Sequence, residues 1–421
     1  MNNKTLKTTM VVAALAVAAG SAGPAAATEG YFSHGYGAVN KSMAGAGVAL
    51  SMDAMSQATN PASLTGVESQ FTADLSIFSP LRDYSVTGGP GPGMFPLAPG
   101  SYDSDRNYFP IPGMAATYAI GPESAFGWAF YANGGMNTTW KEPAGGVFYG
   151  GKTGVDLGQA FLQLTYAREI TSGVSVGISP VLAAQRFKAF GLVAFSPFSS
   201  DATALTDNGY DWSYGYGGKL GVQAEIGAGV SFGAAYQSRV YMTEFDKYAG
   251  LFAEQGDFDI PASLQAGLAW DSGSGVKVAL DYKRIFYGDI DSIANPMLPN
   301  LMSAPLGSDT GAGFGWETIN AYKLGVEFEA TPDLKLRAGV GFNDNPIPSS
   351  EVMFNILAPG VQEMHYTAGA TWQVNPNNAI LFGAMYSPSS SVTGANPLDP
   401  VQTIEIGMYQ WEATVGWTWT F

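Results

Sequence analysis

His34 and His365 are the only two imidazoles in a chain of 421 residues that has no cysteine. Thiolate catalysis, disulfides and cysteine-ligated metals are excluded on that count. A histidine-based hydrolase needs a serine or carboxylate within reach of the ring. His365 reads as inward-facing on its strand, and no convincing partner is visible beside it. An outer-membrane lipase or protease is therefore an unsupported alternative. No residue is assigned as catalytic or as a metal ligand, and no cofactor is expected. The 19 Lys plus Arg stand against 35 Asp plus Glu, for a net charge of -16. No basic patch exists to neutralise phosphates, so nucleic acid is not an expected partner.

The charges with informative spacing lie between residues 317 and 343. If Tyr322, Leu324, Val326 and Phe328 face outward, Lys323, Glu327 and Glu329 face inward. Beyond the turn at Thr331 to Asp333, Lys335 and Arg337 are inward by the same alternation. Folding this hairpin sets Glu329 opposite Lys335 and Glu327 opposite Arg337, two ion pairs on the inner wall. Lys323 falls opposite Gly341 and lacks a partner in that register. It is a lumenal candidate for a ligand carboxylate, or for an inward Asp or Glu from elsewhere.

Such an inner wall requires a particular architecture. Only 13% of residues are charged, against roughly 25% in soluble domains. Water is thus not the main solvent. Hydrophobic residues reach 46%, yet the mature chain has no apolar run of the roughly 18 residues a spanning helix needs. From residue 68 onward the chain reads instead as short alternating segments separated by Gly, Pro, Asn and Asp. Fourteen strands are predicted, near 68–80, 113–121, 125–140, 155–170, 174–188, 217–226, 230–242, 260–270, 275–288, 317–330, 334–343, 361–374, 379–388 and 404–421.

Six connections are short: 121–124, 171–173, 227–229, 271–274, 331–333 and 375–378. The other seven are longer. Long and short connections alternate along outer-membrane barrels, which have an even strand number. The fold expected is all-β, a fourteen-stranded antiparallel transmembrane β-barrel with both termini in the periplasm. In the last strand Trp411, Ala413, Val415, Trp417, Trp419 and Phe421 share one face. That face suits lipid and an aromatic girdle. A β-sandwich or propeller would not explain the alternation of connection lengths.

Lys4 and Lys7, the apolar stretch Met10 to Ala19 and the run ending Ala25-Ala26-Ala27 have the layout of a signal peptide. The domains expected are a signal peptide at 1–27, an N-terminal plug at 28–67 and the barrel at 68–421. A fourteen-stranded barrel has a lumen too wide for its own side chains, which is why the second segment reads as a plug. A periplasmic tail is the alternative, disfavoured by its low charge. In the third strand, alternation breaks at Asn133-Gly134-Gly135, where glycines permit a bulge or kink.

The order Ser42-Met43-Ala44-Gly45-Ala46-Gly47-Val48-Ala49, Asp53-Ala54 and Asn60-Pro61-Ala62 resembles the FadL family of outer-membrane transporters of long-chain fatty acids and other hydrophobic compounds. Ile260-Pro261-Ala262-Ser263, and Leu336-Arg337-Ala338-Gly339 running into Pro346-Ile347-Pro348, add to the match. The resemblance implies that residues 28–67 form a hatch inside the lumen, with Asn60, Pro61 and Ala62 its characteristic piece. It implies passive uptake of fatty acids or of aromatic or aliphatic hydrocarbons, with lateral exit where the third strand kinks at Asn133, Gly134 and Gly135. A plain bulge without function is the alternative at that strand.

Apolar residues concentrate in two outer loops: Phe190, Leu192, Val193, Phe195 and Phe198 in one, Tyr248, Leu251 and Phe252 in the other. Such loops either pack together or bind an apolar ligand. Inward-reading Phe161, Phe187, Leu381 and Met385 favour an apolar pocket over an aqueous one. A general aqueous porin is the alternative; it predicts charged constriction rings and no plug. The partners expected are a hydrophobic small molecule, outer-membrane lipid and lipopolysaccharide, and the barrel-assembly machinery, reached through the strand ending in Phe421. The chain is expected to be a monomer of the Gram-negative outer membrane.

Overall fold

The computed structural model describes residues 29–421; the expected signal peptide at 1–27 lies outside them. Fourteen antiparallel strands close on themselves: β1 (Gln70–Thr87), β2 (Phe109–Ala119), β3 (Ser124–Asn137), β4 (Gly154–Thr171), β5 (Val174–Phe190), β6 (Asp211–Gly227), β7 (Val230–Gln237), β8 (Ser263–Asp271), β9 (Val276–Ile285), β10 (Ile319–Thr331), β11 (Leu334–Asn343), β12 (Met364–Asn375), β13 (Asn378–Ala395) and β14 (Thr403–Thr420). Each pairs with its sequence neighbours. The ladder from Gln70↔Thr420 to Thr87↔Thr403 joins β1 to β14 and removes the sheet edges. Two short pieces, Gly100–Asp103 and Tyr241–Met242, pair with β1 and β6 at the long-loop end.

Alternation sets the two faces. On β14, Trp411, Val415, Trp417 and Trp419 are exposed, whereas Gln410, Glu412, Thr414 and Thr418 are buried. The exposed face is the one that meets lipid. On β10 and β11, Tyr322, Leu324, Phe328, Leu336 and Phe342 are likewise exposed, with Lys323, Glu327 and Arg337 buried inside. Glu327 and Arg337 are directly paired in register and form an ion pair at 2.6 Å. Glu329 and Lys335 hold the expected register but form no ion pair, because both sit at the solvated turn end of the hairpin.

Several strands outrun their predicted ends. β1 continues through Pro80 to Thr87, and β13 through Pro388 to Ala395. Proline disrupts a ladder only where its N–H is needed. Beyond Phe78, β1 has lost its β2 partner, and a register shift between Ser387 and Ser390 carries β13 past Pro388. β6 starts at Asp211, not 217. β7 ends at Gln237, short of the expected 242.

Residues 29–66 run inside the barrel and are almost wholly buried. Short helical turns at Gly37–Lys41, Ser56–Thr59 and Pro61–Gly66 fold this segment against the wall. Turns this short leave many backbone groups unpaired, and in a lumen closed to water those groups need protein partners. Inward-facing wall residues supply them. The Asp281 carboxylate accepts from the Gly47 and Val48 amides at 2.9 and 2.8 Å. Thr367 accepts from the Ala44 amide and donates to the Ser42 carbonyl. Gln265 donates to the Gly45 carbonyl, and Lys219 to the Ala58 carbonyl.

Asn60 is the hub of the expected motif. Its Nδ2 donates to the Val48 carbonyl at 2.7 Å and the Val222 carbonyl at 3.0 Å, while its Oδ1 accepts from the Ala62 amide. Pro61 opens the following turn, where a missing N–H is no loss. The wall approaches this corner so closely that a Cβ on Gly221 would lie 1.9 Å from Asn60 Oδ1. A Cβ on Gly177, its partner across the ladder, would lie 2.4 Å from the Pro61 carbonyl carbon.

Replacing Gly221 with Val is expected to cost the docked segment about 1–3 kcal/mol through overpacking while leaving the barrel closed. Limited trypsin digestion reads this directly. Cleavage after buried Lys41 appears in the variant and not in the parent; equal resistance would show that this contact does not hold the segment.

Candidate functional site

At the long-loop end a small apolar cavity lies between the barrel mouth and the outer loops. Leu192, Phe195, Leu251 and Phe252 of the two apolar loops line it, together with Phe187 from β5 and Phe354. Phe187 packs against Phe252 with ring centroids 4.7 Å apart, and Phe195 against Phe354 at 5.4 Å. The loops thus pack together and still enclose an apolar space. Tyr248 is wholly buried, its hydroxyl donating to the Gly209 carbonyl at 2.6 Å. Phe198 packs at the edge of the same core. Four expected capture residues do not line the cavity: Tyr248 and Phe198 pack in the core around it, Val193 is exposed, and Phe190 lies beneath the ammonium groups of Lys152 and Lys188.

The second feature is a break in the wall. β2 and β3 are joined only from Ala119↔Ala125 to Met114↔Phe130. Beyond that point Phe109 to Gly113 pair with β1 alone, and Tyr131 to Asn137 have no partner in β2. A register shift between Ala132 and Gly134 bends β3 away from β2. Asn133 is the extra residue of this bulge. The exposed backbone of β3 is taken up by the inner segment: the Ser33 amide donates to the Asn133 carbonyl at 2.9 Å, and the Gly135 amide to the Tyr31 carbonyl at 3.1 Å. Gly134 is required by this contact, since a Cβ there would meet the Tyr31 carbonyl oxygen at 1.9 Å. A small cavity adjoins the break, lined by Tyr31, Phe78, Arg82, Phe109, Met136 and Trp316 among others.

What holds the start of the inner segment is a buried charge cluster. Glu29 lies 2.6 Å from Lys323 Nζ and 2.7 Å from Lys283 Nζ. Burial alone would raise the Glu29 pKa, but the two ammonium groups outweigh it and hold the carboxyl at about 2. Lys323 also donates to the His34 carbonyl at 2.7 Å. The Tyr287 hydroxyl accepts from the Tyr31 and Phe32 amides and donates to the Glu29 carbonyl. Of the two partners open to Lys323, a ligand carboxylate or an inward Asp or Glu from elsewhere, the structure supplies the second: Glu29 of the inner segment.

The remaining lumenal candidates separate in space. Phe161 is fully buried and packs edge-on against Tyr131 at 5.6 Å. Leu381 packs on Ala38 and Val39 of the inner segment and so does not line an open pocket. Met385 clusters with Phe78, Phe109 and Ile111, beside the break. His365 stacks on His34 at 6.1 Å with an interplanar angle of 7°. Burial pushes the His34 pKa down to about 4, so that ring is uncharged at neutral pH.

Glu29, Lys283, Tyr287 and Arg82 were not singled out in the sequence. Alternation from Leu280 places Asp281 and Lys283 inward, which is the signal that would have found the latter. Residues 11–410 match the family described as outer membrane protein transport protein (OMPP1/FadL/TodX). The chain belongs to the FadL/TodX family. Members of this family are outer-membrane transport channels for hydrophobic compounds, not enzymes. The long-chain fatty acid transport protein of Escherichia coli K12 is 22% identical over 351 residues, 74% of this chain and 75% of that protein.

Among solved FadL/TodX barrels, the toluene transporter TodX of Pseudomonas putida superposes with a TM-score of 0.67 at 17% identity, covering 92% of this chain and 99% of its own. A FadL homologue of Pseudomonas aeruginosa gives 0.66 at 15% identity, covering 93% and 100%. Identities this low bear on the fold alone.

Glu29→Gln would leave Lys283 and Lys323 facing each other in a buried site. A loss of about 3–5 kcal/mol in docking of the segment is expected, as for a broken buried ion pair. Calorimetry in detergent should show a lowered transition, restored when Lys283→Met and Lys323→Met accompany Glu29→Gln. An unchanged transition in the single variant would contradict the role given to this cluster.

Proposed function

We propose that this protein takes up hydrophobic small molecules passively, from the outer apolar cavity to the cavity at the break and then sideways into the membrane between β2 and β3. The observation that carries this reading is the stretch of β3 that is paired with β4 but not with β2, Tyr131 to Asn137, whose free side is met at Asn133 and Gly135 by Tyr31 to Ser33 of the inner segment. A strand ladder cannot be crossed without breaking several hydrogen bonds at once. Here two short backbone contacts close the route. Residues 29–66 act as the hatch, and the Glu29 cluster as its fastening.

A water-filled porin fits this interior less well. Inward polar groups such as Asp281, Thr367 and Gln265 are occupied by hatch backbone, and the outer cavity is lined by aromatic and aliphatic side chains. An apolar solute gains by leaving water for such a lining, at about 25 cal/mol per Å² of apolar surface buried. The chain is read as a monomer within lipid and lipopolysaccharide, inserted by assembly machinery that engages the strand ending in Phe421.

Uptake by intact cells tests the proposal. Deleting the protein should slow entry of at least one of oleate, toluene and hexadecane. Complementation with Phe252→Glu, which places a charge in the outer cavity, should restore no more than about a tenth of the rate, since burying an unpaired carboxylate costs more than 1.4 kcal/mol. Unchanged uptake on deletion, combined with a steady ion conductance of the purified barrel, would replace this reading with the porin.

A further inference from the structure

Near the long-loop end the outward face of the barrel changes character. The outward positions of β5 include Ile178 and Leu182, both exposed, and then Arg186, Lys188 and Phe190, all half-buried. β4 changes in step, from exposed Leu164 and Tyr166 to Asp156, which is in register with Lys188 on one side and with Asn137, the last residue of β3, on the other. Leu157, Phe161 and Phe187 take the alternate, inner positions of these strands and are buried. The charges therefore belong to the outside of the barrel.

The cations there are strung along two aromatic rings. Lys152 Nζ lies 5.3 Å and Lys188 Nζ 5.8 Å from the centre of the Phe190 ring. Lys188 Nζ is also 4.3 Å from the centre of the Tyr210 ring, and the Arg186 guanidinium 4.9 Å from it. Among the described residues none of these three forms an ion pair; in the same corner Arg106 lies 3.8 Å from Asp156, and Asp105 is paired with Lys141. The two carboxylates nearest the row are engaged elsewhere. Asp156 accepts from the Tyr210 hydroxyl at 2.8 Å, and Asp207 from the Gly191 amide and the Thr206 hydroxyl. What remains is an open groove lined by Arg106, Lys152, Asp156, Lys188, Phe190 and Asp207 among others.

Basic side chains at the boundary between an apolar wall and the outer loops meet lipid head groups. Exposed Tyr214 and Tyr216 of β6 lie at the same end, as aromatic residues do at a membrane interface. A row of cations on two rings spans more than one carboxylate can meet and suits an anion bearing two phosphates. The apolar face of β4 and β5 below it suits that anion's acyl chains. A soluble phosphate would use only the upper half of this surface. We propose that Arg106, Lys152, Arg186 and Lys188 form an outward-facing site for the phosphates of one lipopolysaccharide molecule, whose acyl chains lie along β4 and β5. The site is outside the lumen and stands independently of the uptake route proposed above.

The test measures binding of lipid A to the purified full-length protein in detergent by native mass spectrometry, comparing lipid A that carries both phosphates with lipid A from which both have been removed. The phosphorylated form should bind about tenfold or more tightly, the range given by hydrogen bonds between charged groups. The double variant Arg186→Gln, Lys188→Gln should lose that preference, whereas Lys335→Gln at the short-turn end should keep it. Equal binding of the two lipids by the parent, a preference that survives the double variant, or an equal loss in Lys335→Gln overturns the site. Inorganic phosphate alone that displaces lipid A at millimolar concentration would mark a site for a free anion and overturn the lipid assignment. Should the double variant fail to give a heat-modifiable folded barrel, Lys152→Gln in the outer loop, expected to weaken the preference, decides together with the parent comparison.

Discussion

A closed ladder of fourteen strands leaves a lumen that its own side chains cannot fill, and any chain placed inside must find partners for its backbone groups away from water. Most of the structure answers to that constraint. Inward residues that would line a water channel elsewhere are spent here on carbonyls and amides of residues 29–66, as Asp281, Gln265, Thr367 and Lys219 show. The charge left inside is paired across the same boundary, Glu29 with two wall lysines and Lys41 with Glu412. The acidic and polar interior is thus the complement of a folded insert.

The same constraint gives the break between β2 and β3 its meaning. A strand edge within a membrane cannot stay bare, so the bulge at Asn133 would be unaffordable without a substitute neighbour. Tyr31 to Ser33 are that neighbour, and Gly134 provides the room for them. With the insert in place, the backbone of the wall is thus continued by the insert at this point. Glu29, held by Lys283 and by the Tyr287 hydroxyl at its carbonyl, lies two residues before Tyr31 in the chain.

Much of this was legible in one dimension. Alternation placed Trp417 and Trp419 on lipid, put Glu327 opposite Arg337, and located the short turns, because a period of two and a tight hairpin are local properties. The Asn133-Gly134-Gly135 break also showed as a local departure from pattern, and the Asn60-Pro61-Ala62 corner through the family resemblance. The partner of Lys323 did not, because Glu29 lies at the far end of the chain, outside any strand. Arg82 was hidden for a different reason. Pro80 and the polar residues after it resemble a strand end, and only the loss of the β2 neighbour beyond Phe78 lets β1 continue through that proline with Arg82 facing inward. The extra ladder past Pro388 was concealed the same way, by a bulge.

The proposed lateral route requires that Tyr31 to Ser33 separate from β3 when ligand passes, with the rest of the insert still docked. Hydrogen exchange of individual amides, with and without saturating oleate, tests it most directly. The Ser33 and Gly135 amides, which close the break, should exchange faster with oleate present, while the Gly47 and Val48 amides held by Asp281 keep their protection. Unchanged or slower exchange at Ser33 and Gly135 under saturating oleate would contradict the account.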